Sequence, residues 1–371
     1  MTTVHFISSI ATPHVNTILA SLSARPGIDL RLHYAAETQP GYPEWKNNPT
    51  HLVQQAAIYG ANRPNAGFLA ELLRKRREHL IVVGWSNPTT RALLLLMEAT
   101  QRRFLFFTDE PQENISRGAV KSVIRAAYLQ ILRRRAIVLA TGRNAVAYFH
   151  QNGIPAAHLV NAPIPTTIPT NVVQLRAQRS TVRARYGVPE DCVFAVTGSR
   201  FVQAKGFDVL LRAVATLESK PRQRLRVLVV GSGPEEARLR RDIAANDLNA
   251  IVTLAPWMET GDFEAVFASA DLAIHPSRFD GYGATSLMAV GLGLPIVGSR
   301  AAGSAAELVE HGRNGFLYDA EDVDALAGHL KYLIERPATL VEMGRHSSEL
   351  ASRWSPEKVA DVFVHALSLL E

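Results

Sequence analysis

Two positively charged side chains stand close together in the middle of the chain, directly after a short apolar run. The run, Val193–Gly198, has the pattern of a buried strand, and Arg200 and Lys205 follow it. A guanidinium and an ammonium group at the end of a strand can bind a diphosphate and neutralise the charge that grows on it as a leaving group. For an isolated pair, a basic loop before the next helix is the preferred interpretation, so a site requires further residues.

A glycine-punctuated stretch further along the chain offers such residues. The apolar run Leu272–His275 is followed by a turn with two glycines at 280–283. A helical segment of small residues ends near residue 291, and 295–298 has the pattern of another short strand. A strand, a glycine loop and a helix in this order place backbone N–H groups and a helix N-terminus beside a ligand, which suits phosphate.

Two weaker signals lie between these stretches. Gly231 and Gly233 follow an apolar run, but the third glycine of the dinucleotide-binding fingerprint is absent. Trp257 and Met258 follow the next apolar run and could stack on a nucleotide base, or could equally be buried packing.

The bulk composition limits the class of protein. The chain has 371 residues, too many for one ordinary core, and is 47% apolar and 20% charged, which favours two soluble globular domains. We expect no signal peptide, and apolar runs such as 92–97 are too short to span a bilayer. The single Cys192 excludes an intrachain disulfide and a cysteine metal cage, and fits a reducing, cytoplasmic location.

The charge is unevenly distributed along the sequence. The net charge is +6, and basic residues cluster at 74–77, 102–103, 133–135 and 238–241. Solvated helix faces are the simpler interpretation, which we prefer for 238–241. The other three clusters lie in the first half and suggest an anionic acceptor or a peripheral contact with an anionic membrane face. Nucleic acid is not expected as a partner, because no recognition motif accompanies the charge.

Apolar strand patterns alternate with helical patterns along both halves, which predicts an α/β protein with parallel sheets. A stretch rich in proline and threonine at 161–170 suggests a linker, and a basic helix is predicted at 172–186. We therefore expect two doubly wound, Rossmann-like domains, 1–165 and 166–354, facing across a cleft. A last helix at about 355–371 is expected to pack back onto the first domain.

The motifs occur in a characteristic order. Arg200 and Lys205 come first, then Gly231 to Glu235, the stretch 275–283, 293–299, and finally Glu307 with the glycines at 312 and 315. This order resembles the nucleotide-binding half of the family 4 retaining glycosyltransferases, which have the GT-B fold. The resemblance is specific over residues 190–320 and looser over the first half.

The resemblance implies retaining transfer of a sugar, of the hexosyltransferase type, from a nucleotide-diphosphate sugar without a cofactor. It implies that Arg200 and Lys205 bind the donor diphosphate and that the loop beginning at Asp280 holds the sugar. Family members usually carry a second glutamate where this chain has Met288. A replacement contact to the ribose could come from Thr285, Ser286 or Glu307, of which Thr285 is preferred.

The first domain is expected to hold the acceptor, a glycan, a lipid-linked glycan or a small molecule in polysaccharide or lipopolysaccharide biosynthesis. His14 follows a Thr-Pro turn and could approach the donor phosphates, or be an ordinary surface histidine. Asp109 ends a strand where the family often has a histidine, and could orient the acceptor hydroxyl or cap the next segment. The expected catalytic residues are Asp109, Arg200, Lys205 and Asp280. The expected donor-binding residues are His14, Gly233, Trp257, Met258, Gly281, Tyr282, Gly283, Thr285 and Glu307.

No cluster of residues has metal-ligand spacing, and cationic side chains would replace Mg²⁺ at the diphosphate, so we expect a metal-independent reaction. Two alternatives remain open. One is another enzyme on the same fold, a sugar-nucleotide epimerase or a phosphorylase. The other is a non-catalytic sugar-nucleotide-binding partner, for which Met288 is the main support.

Overall fold

A computed structural model describes residues 1–10, 12–36, 56–60, 62–112, 119–166 and 168–370. The chain divides into two compact units. Unit 1 consists of Met1–Pro165 together with Pro356–Glu371, and unit 2 is Thr166–Ser355. Each unit is built around its own parallel sheet.

Unit 1 contains a seven-stranded sheet in the order β3-β2-β1-β4-β5-β6-β7, and every neighbouring pair is parallel. Its inner strands are almost entirely apolar and buried, as expected when helices cover both faces of a sheet. The strands are β1 (Thr2–Ser8), β2 (Ile28–Tyr34), β3 (Ala57–Ile58), β4 (His79–Val83), β5 (Phe104–Thr108), β6 (Ala136–Ala140) and β7 (Leu159–Asn161). Two of these, β3 and β7, have too few residues to show a pattern and were not predicted. The predicted polar loop at 39–50 lies outside the described residues.

Helices alternate with these strands. They are α1 (Pro13–Ser23), α2 (Ala66–Arg74), α3 (Pro88–Ala99), α4 (Ala119–Arg135) and α5 (Arg143–Gln151). Proline occupies the first turn of α1 and of α3, where its missing N–H costs nothing, and the Asn87 side chain caps α3 by accepting from the backbone N–H of Thr90 at 2.9 Å.

Unit 2 contains a six-stranded parallel sheet in the order β10-β9-β8-β11-β12-β13. Because β8 and β11 are neighbours at the centre, the chain changes direction there, and ligands of open α/β sheets bind at such points. The strands are β8 (Val193–Gly198), β9 (Leu225–Val230), β10 (Val252–Ala255), β11 (Leu272–His275), β12 (Ile296–Ser299) and β13 (Gly315–Tyr318).

The helices of unit 2 cover both faces of its sheet. They are α6 (Val172–Ala177), α7 (Arg179–Arg185), α8 (Phe207–Thr216), α9 (Ser219–Gln223), α10 (Glu236–Ala245), α11 (Thr260–Ala268), α12 (Ala284–Gly291), α13 (Gly303–Leu308), α14 (Val323–Glu335) and α15 (Pro337–Ala351). A last helix, α16 (Pro356–Ser368), belongs to unit 1, where it packs against α1 and places Phe363 edge to face on Phe107 with ring centroids 5.1 Å apart.

The single basic helix predicted at 172–186 is instead two helices, α6 and α7, which meet at Gln178. The second of these helices, α7, is held by an ion-pair anchor at the start of β11. Arg179 Nη2 and Arg183 Nη1 lie 2.6 and 3.1 Å from the two carboxylate oxygens of Asp271. Arg183 is 1% exposed and also donates to the carbonyl of Cys192 at 2.8 Å. These arginines therefore fix α7 to the start of β11 rather than forming a solvated face.

Among the described residues, none of the helices combines the length and the apolar character needed to cross a bilayer.

Candidate functional site

The loops that follow β8, β11 and β12 meet at one edge of the unit 2 sheet. These three strands are consecutive neighbours and parallel, so their carboxyl ends lie side by side. Backbone hydrogen bonds join the loops: the N–H of Phe279 donates to the carbonyl of Ala204 at 3.1 Å, and the N–H of Gly303 donates to that of Asp280 at 2.9 Å. The glycine loops singled out in the sequence thus form one connected surface.

Lys205 and Asp280 form the charged centre of this surface. The Lys205 ammonium donates to Asp280 Oδ2 at 2.6 Å, and the two side chains are only 13% and 14% exposed. An ion pair screened from water in this way is stronger than one on the open surface. The two residues, predicted as separate parts of a donor site, are therefore in direct contact.

His275 holds the other side of the Asp280 carboxylate. His275 Nε2 lies 3.2 Å from Asp280 Oδ2, and His275 Nδ1 lies 2.8 Å from the Ser286 hydroxyl oxygen. A neutral imidazole satisfies both contacts when Nε2–H donates to Asp280 and Nδ1 accepts from Ser286. Burial raises the pKa of the Asp280 carboxyl, but the hydrogen bond from His275 and the charge of Lys205 outweigh it and lower that pKa to about 2. Asp280 is therefore a carboxylate at neutral pH.

Sequence reasoning did not assign a role to His275. The residue stands within the stretch that was singled out, as the last residue of β11, but its pairing with Ser286 on α12 depends on how the helix returns across the strand. The available signal was a polar side chain at the end of an otherwise apolar strand.

Gly206 allows the Lys205 loop to approach the β11 loop. Gly206 has φ +65°, and a Cβ at this position would stand 2.0 Å from the carbonyl oxygen of Pro276. Gly283 has φ +87°, and its Cβ would stand 2.5 Å from Asp280 Oδ2. Both positions require glycine for two reasons, the left-handed backbone and the absence of space.

We expect Gly206→Ala to lower the free energy of unfolding by about 3 kcal/mol or more, because a backbone oxygen cannot move aside for the new methyl group. The matched control is Gly328→Ala in α14, where nothing lies within 4 Å of the added Cβ. That control should stabilise the protein by up to about 1 kcal/mol, since alanine favours a helix over glycine. Urea unfolding of both variants measures the difference, and equal stabilities would contradict the assigned role of Gly206.

The helix α12 begins directly after Gly283 and points its amino end at this surface. No side chain caps it, and its first turn contains no acidic residue. Its first-turn Thr285 is 5% exposed and donates its hydroxyl to the carbonyl of Gly198 at 3.0 Å. The helix N-terminus therefore adds uncapped backbone dipoles to the same edge as Lys205, and the Thr285 hydroxyl ties α12 to the end of β8.

The remaining residues of unit 2 that were predicted to bind the donor differ in their solvent exposure. Tyr282 and Glu307 are 3% and 4% exposed, and the Glu307 charge contributes, after burial, to raising the pKa of the Tyr282 phenol. Gly233 lies against the Phe201 backbone, because an added Cβ would be 2.5 Å from the Phe201 carbonyl oxygen. Met288 is half-buried on α12. Gly281 is buried within the loop.

Four other predicted residues remain to be located. Arg200 is exposed on the loop after β8. Trp257, 46% exposed, and Met258 follow β10, an edge strand three positions from β11 in the sheet. At about 4.8 Å between strands, this corresponds to roughly 14 Å from the Asp280 loop. His14 is the second residue of α1, and its side chain lies outside what the structure describes.

Unit 1 has a cavity of about 480 Å³ at the carboxyl edge of its own sheet. Asp109, which directly follows β5, lines it and is exposed. The lining also includes Ser9, Trp85, Ser86, Arg91 and Thr108. The position after β5 that was selected from sequence thus belongs to a real concavity, whereas Trp85 and Arg91 were not anticipated.

One wall of this cavity is fixed by a chain of hydrogen bonds. The hydroxyls of Ser9 and Ser86 are 2.7 Å apart, and Asn87 Nδ2 donates to Ser9 Oγ and to the Tyr59 hydroxyl, each at 3.0 Å. The Arg91 guanidinium donates to the carbonyl of Trp85 at 2.9 Å. A wall of oriented hydroxyls opposite apolar side chains suits a ligand that is polar at its edges and apolar on its faces.

Comparison with known proteins gives a family match for one part of the chain. Residues 178–350 match the family model described as glycosyl transferases group 1. The match lies within unit 2 and spans less than half of the chain, so the similarity to this family holds for that segment. The segment contains β8 to β13, Lys205 and Asp280, so the predicted resemblance is confirmed for unit 2.

Among curated relatives, a D-inositol 3-phosphate glycosyltransferase of Pseudarthrobacter chlorophenolicus is 32% identical over 184 residues, which cover 48% of this chain and 44% of the relative. An uncharacterized glycosyltransferase of Haemophilus influenzae is 31% identical over 158 residues, or 42% and 44% of the two chains. The matched segment thus spans less than half the length of these relatives.

Solved structures extend the similarity of fold to the whole chain. Anabaena Alr3699/HepE in complex with UDP has a TM-score of 0.76 with 19% identity and full coverage of both chains. The lipopolysaccharide outer core galactosyltransferase WaaB has a TM-score of 0.72 with 14% identity over 99% of each chain. The predicted fold class, α/β with two Rossmann-like units as in GT-B glycosyltransferases, is confirmed.

Proposed function

We propose that the protein is a retaining, metal-independent hexosyltransferase that moves a sugar from a nucleotide-diphosphate sugar to a glycan, a lipid-linked glycan or a small-molecule acceptor. The observation that carries this proposal is the contact of Lys205 with Asp280 beside the uncapped N-terminus of α12. A cation and a helix dipole suit a diphosphate, while a carboxylate suits the hydroxyl groups of a sugar. A nucleotide sugar contains both groups side by side.

Uridine diphosphate is the nucleotide that we propose for the donor. Structures of Anabaena Alr3699/HepE are described as complexes with UDP and with UDP-glucose, and that protein shares the fold over its full length. The exposed Trp257 stands at the same edge of the sheet and offers a surface on which a uracil ring could stack.

In the proposed mechanism, configuration is retained because the acceptor hydroxyl attacks the anomeric carbon from the side that the diphosphate leaves. The bond between the anomeric carbon and the diphosphate oxygen breaks with its electron pair remaining on the diphosphate. The acceptor oxygen forms the new glycosidic bond, and its proton passes to the departing diphosphate oxygen. Lys205 and Arg200 neutralise the growing charge, so that no strong protein base is needed.

The acceptor is proposed to bind in the unit 1 cavity, with Asp109 near the reacting hydroxyl. Support comes from the fixed hydroxyl wall of Ser9 and Ser86 and from the carboxylate of Asp109 on the rim. A carboxylate in this position can accept a hydrogen bond from the attacking hydroxyl and stabilise positive charge on the sugar. The relatives named D-inositol 3-phosphate glycosyltransferases are consistent with a polyhydroxylated acceptor.

A thermal-shift experiment tests the donor site. UDP at a hundred times its dissociation constant should stabilise the native protein by about 2.7 kcal/mol, with or without EDTA. Lys205→Ala should weaken UDP binding roughly ten- to hundredfold, because it removes a charge-assisted hydrogen bond. Lys220→Ala, at an exposed lysine of the same unit, is the matched control and should bind as the unchanged protein does. No response to any nucleotide would contradict the proposed function, and a response that EDTA abolishes would contradict metal independence.

A further inference from the structure

Arg278 binds both ends of the short turn that carries Lys205. This is a single 3₁₀ turn, Gln203–Lys205, and α8 begins two residues after it. Arg278 Nη1 donates to the carbonyl of Gln203 at 2.9 Å and to Asp208 Oδ1 at 2.6 Å, and Nη2 donates to Asp208 Oδ2 at 2.7 Å. Lys205 therefore lies between two points that are bound to the same guanidinium group.

The contact with Asp208 is the strong form of an arginine–carboxylate pair. Two parallel N–H···O bonds fix the relative orientation of the two groups as well as their separation. The Arg278 and Asp208 side chains are only 21% and 16% exposed, so water screens the pair weakly. Burial raises the pKa of the Asp208 carboxyl, but the hydrogen bond and the charge of Arg278 outweigh it and lower that pKa. The pair therefore remains charged at neutral pH.

Two ion pairs thus join the same two segments of unit 2. Asp280 follows Arg278 by two residues in the loop after β11, and Asp208, in the first turn of α8, follows Lys205 by three. Each segment contributes one cation and one anion, because Lys205 binds Asp280 and Arg278 binds Asp208. A ligand that draws Lys205 away from Asp280 leaves the second pair in place, so the two segments stay joined.

Glu321 binds another side of the Arg278 guanidinium and does so under backbone strain. Its φ of +72° lies in the left-handed region, which a residue with a Cβ adopts only at a cost. Its carboxylate contacts Arg278 Nε and accepts from Arg212 Nη2 of α8 at 2.9 Å. A glycine would adopt this backbone without strain, so the contacts of the glutamate side chain are what offset the cost.

We propose that Arg278 is a positioning residue of the donor site. It sets the Lys205 ammonium against Asp280 and keeps the two segments together when Lys205 turns to a diphosphate. Arg278 acts through Lys205 and not on the ligand, because one N–H of Nε, two of Nη1 and one of Nη2 are already used. The positioning of Lys205 is independent of the proposed function, whereas its benefit for nucleotide binding rests on that function.

Acetylation of the full chain by acetic anhydride, followed by mass spectrometry, tests the position of Lys205 without any ligand. Arg278→Lys keeps the charge but cannot form two parallel bonds with Asp208. It should raise the rate of acetylation at Lys205 about threefold or more, because the amine then spends more time in water than beside Asp280. Lys220, an exposed lysine of the same unit, reports general reactivity and should react at an unchanged rate. An unchanged rate at Lys205 would overturn the proposal.

Glu321→Gly separates the positioning of Lys205 from the stability of the fold. Glycine relieves the left-handed backbone and at the same time removes the carboxylate from Arg278. Urea unfolding should therefore show a smaller loss of stability than with Arg278→Lys, while acetylation of Lys205 should still be faster than in the unchanged chain. A folded Glu321→Gly variant in which Lys205 reacts as slowly as before would reduce the role of this network to stability alone.

A double-mutant cycle with UDP tests whether Arg278 acts through Lys205. Arg278→Lys should weaken UDP binding about tenfold in the unchanged chain but little in a Lys205→Ala background, because no ammonium group then remains to be positioned. Arg345→Lys makes the same change at an exposed ion pair of α15 and should bind UDP as the unchanged chain does.

The cycle also separates this proposal from the proposed function. Unchanged UDP binding by Arg278→Lys would overturn the positioning role, and so would equal losses in both backgrounds, which would indicate direct contact with the diphosphate. If the unchanged chain binds no UDP, the proposed donor site fails, and the rate of acetylation at Lys205 still decides whether Arg278 positions that side chain.

Discussion

Replacing Asp280 with asparagine is expected to tighten the binding of free UDP by about a hundredfold while lowering sugar transfer by at least about a hundredfold. The Asp280 carboxylate contacts the Lys205 ammonium at 2.6 Å, so a diphosphate must compete with it for the same cation. At roughly 6 Å and an effective dielectric constant of about 20, the repulsion between one carboxylate and one phosphate charge is about 3 kcal/mol. Removing the carboxylate relieves this repulsion and releases the lysine.

Transfer should fall for a separate reason. In the proposed site the Asp280 carboxylate, held by His275 at 3.2 Å, accepts hydrogen bonds from the donor sugar. An amide cannot provide the same charge as positive charge develops on the sugar, and losing one such electrostatic contact costs roughly a hundred- to a thousandfold in rate. The variant would therefore bind UDP more tightly but transfer the sugar more slowly.

Isothermal titration with UDP and initial rates with a nucleotide sugar measure the two effects. Asp319→Asn neutralises an exposed carboxylate of the same unit, 80% accessible, and serves as the control for net charge. In a Lys205→Ala background the gain from Asp280→Asn should shrink, because the competition for the lysine no longer exists. Weaker UDP binding by Asp280→Asn alone would refute the competition.

Acidification from pH 7 to pH 4 is expected to remove about 3 kcal/mol or more from the stability of unit 1. The cause is a row of three side chains, two buried histidines on β1 and β2 and a half-buried glutamate in the turn before β4. His5 Nδ1 lies 2.8 Å from His33 Nε2, and His5 Nε2 contacts the Glu78 carboxylate. If Glu78 accepts from His5 and His5 accepts from His33, every shared proton is used while both rings stay neutral.

Protonation of His33 breaks this arrangement. Its second ring nitrogen, Nδ1, is buried and has no hydrogen-bond partner among the residues that the structure describes, so a proton there would have no acceptor among them. Burial and then the nearby His5 lower the pKa of His33 from 6.5 to about 4, and burial also lowers the pKa of His5. In the unfolded chain both histidines bind protons near pH 6.5, so the unfolded state gains protons first as the pH falls. Stability is therefore complete above pH 6.5 and is lost progressively down to about pH 4.

The expected loss in the free energy of unfolding follows from the lowered pKa of His33 alone. This pKa falls by about 2.5, and each pH unit corresponds to about 1.36 kcal/mol. Glu78 acts in the same direction at lower pH, because its hydrogen bond to His5 lowers its pKa and that contribution is lost as the carboxylate is protonated. Urea unfolding at pH 7, 5.5 and 4 measures the slope. His33→Gln should flatten it, whereas His150→Gln, at an exposed histidine of α5, should not. A stability that does not change between pH 7 and 4 would contradict this account.

The local pattern of the sequence was sufficient for most strands and helices and for the charged centre of the candidate site. Lys205 and Asp280 each follow an apolar strand, and in a parallel sheet such positions share an edge. Their contact further depends on β8 lying beside β11, which is a property of the sheet order and not of either segment.

Contacts between distant segments could not be predicted from the sequence for the same reason. His5 and His33 meet because β1 pairs with β2 in one register, and a shift by one residue would turn the two rings to opposite faces. The position of α7 depends on Asp271, which is far along the chain. Residues at the carboxyl ends of strands were therefore predictable as a group, whereas their individual partners were not.

The path of the chain between the units has a consequence for synthesis. Unit 2 is one continuous segment, and its two ends are joined by the backbone hydrogen bond from Thr166 to Trp354 at 2.9 Å. Unit 1 is interrupted by it, and Val359, Ala360 and Phe363 of α16 complete the core beside α1. A ribosome therefore releases all of unit 2 before unit 1 can close. During translation, the apolar surface that α16 will cover therefore stays accessible to chaperones while unit 2 folds.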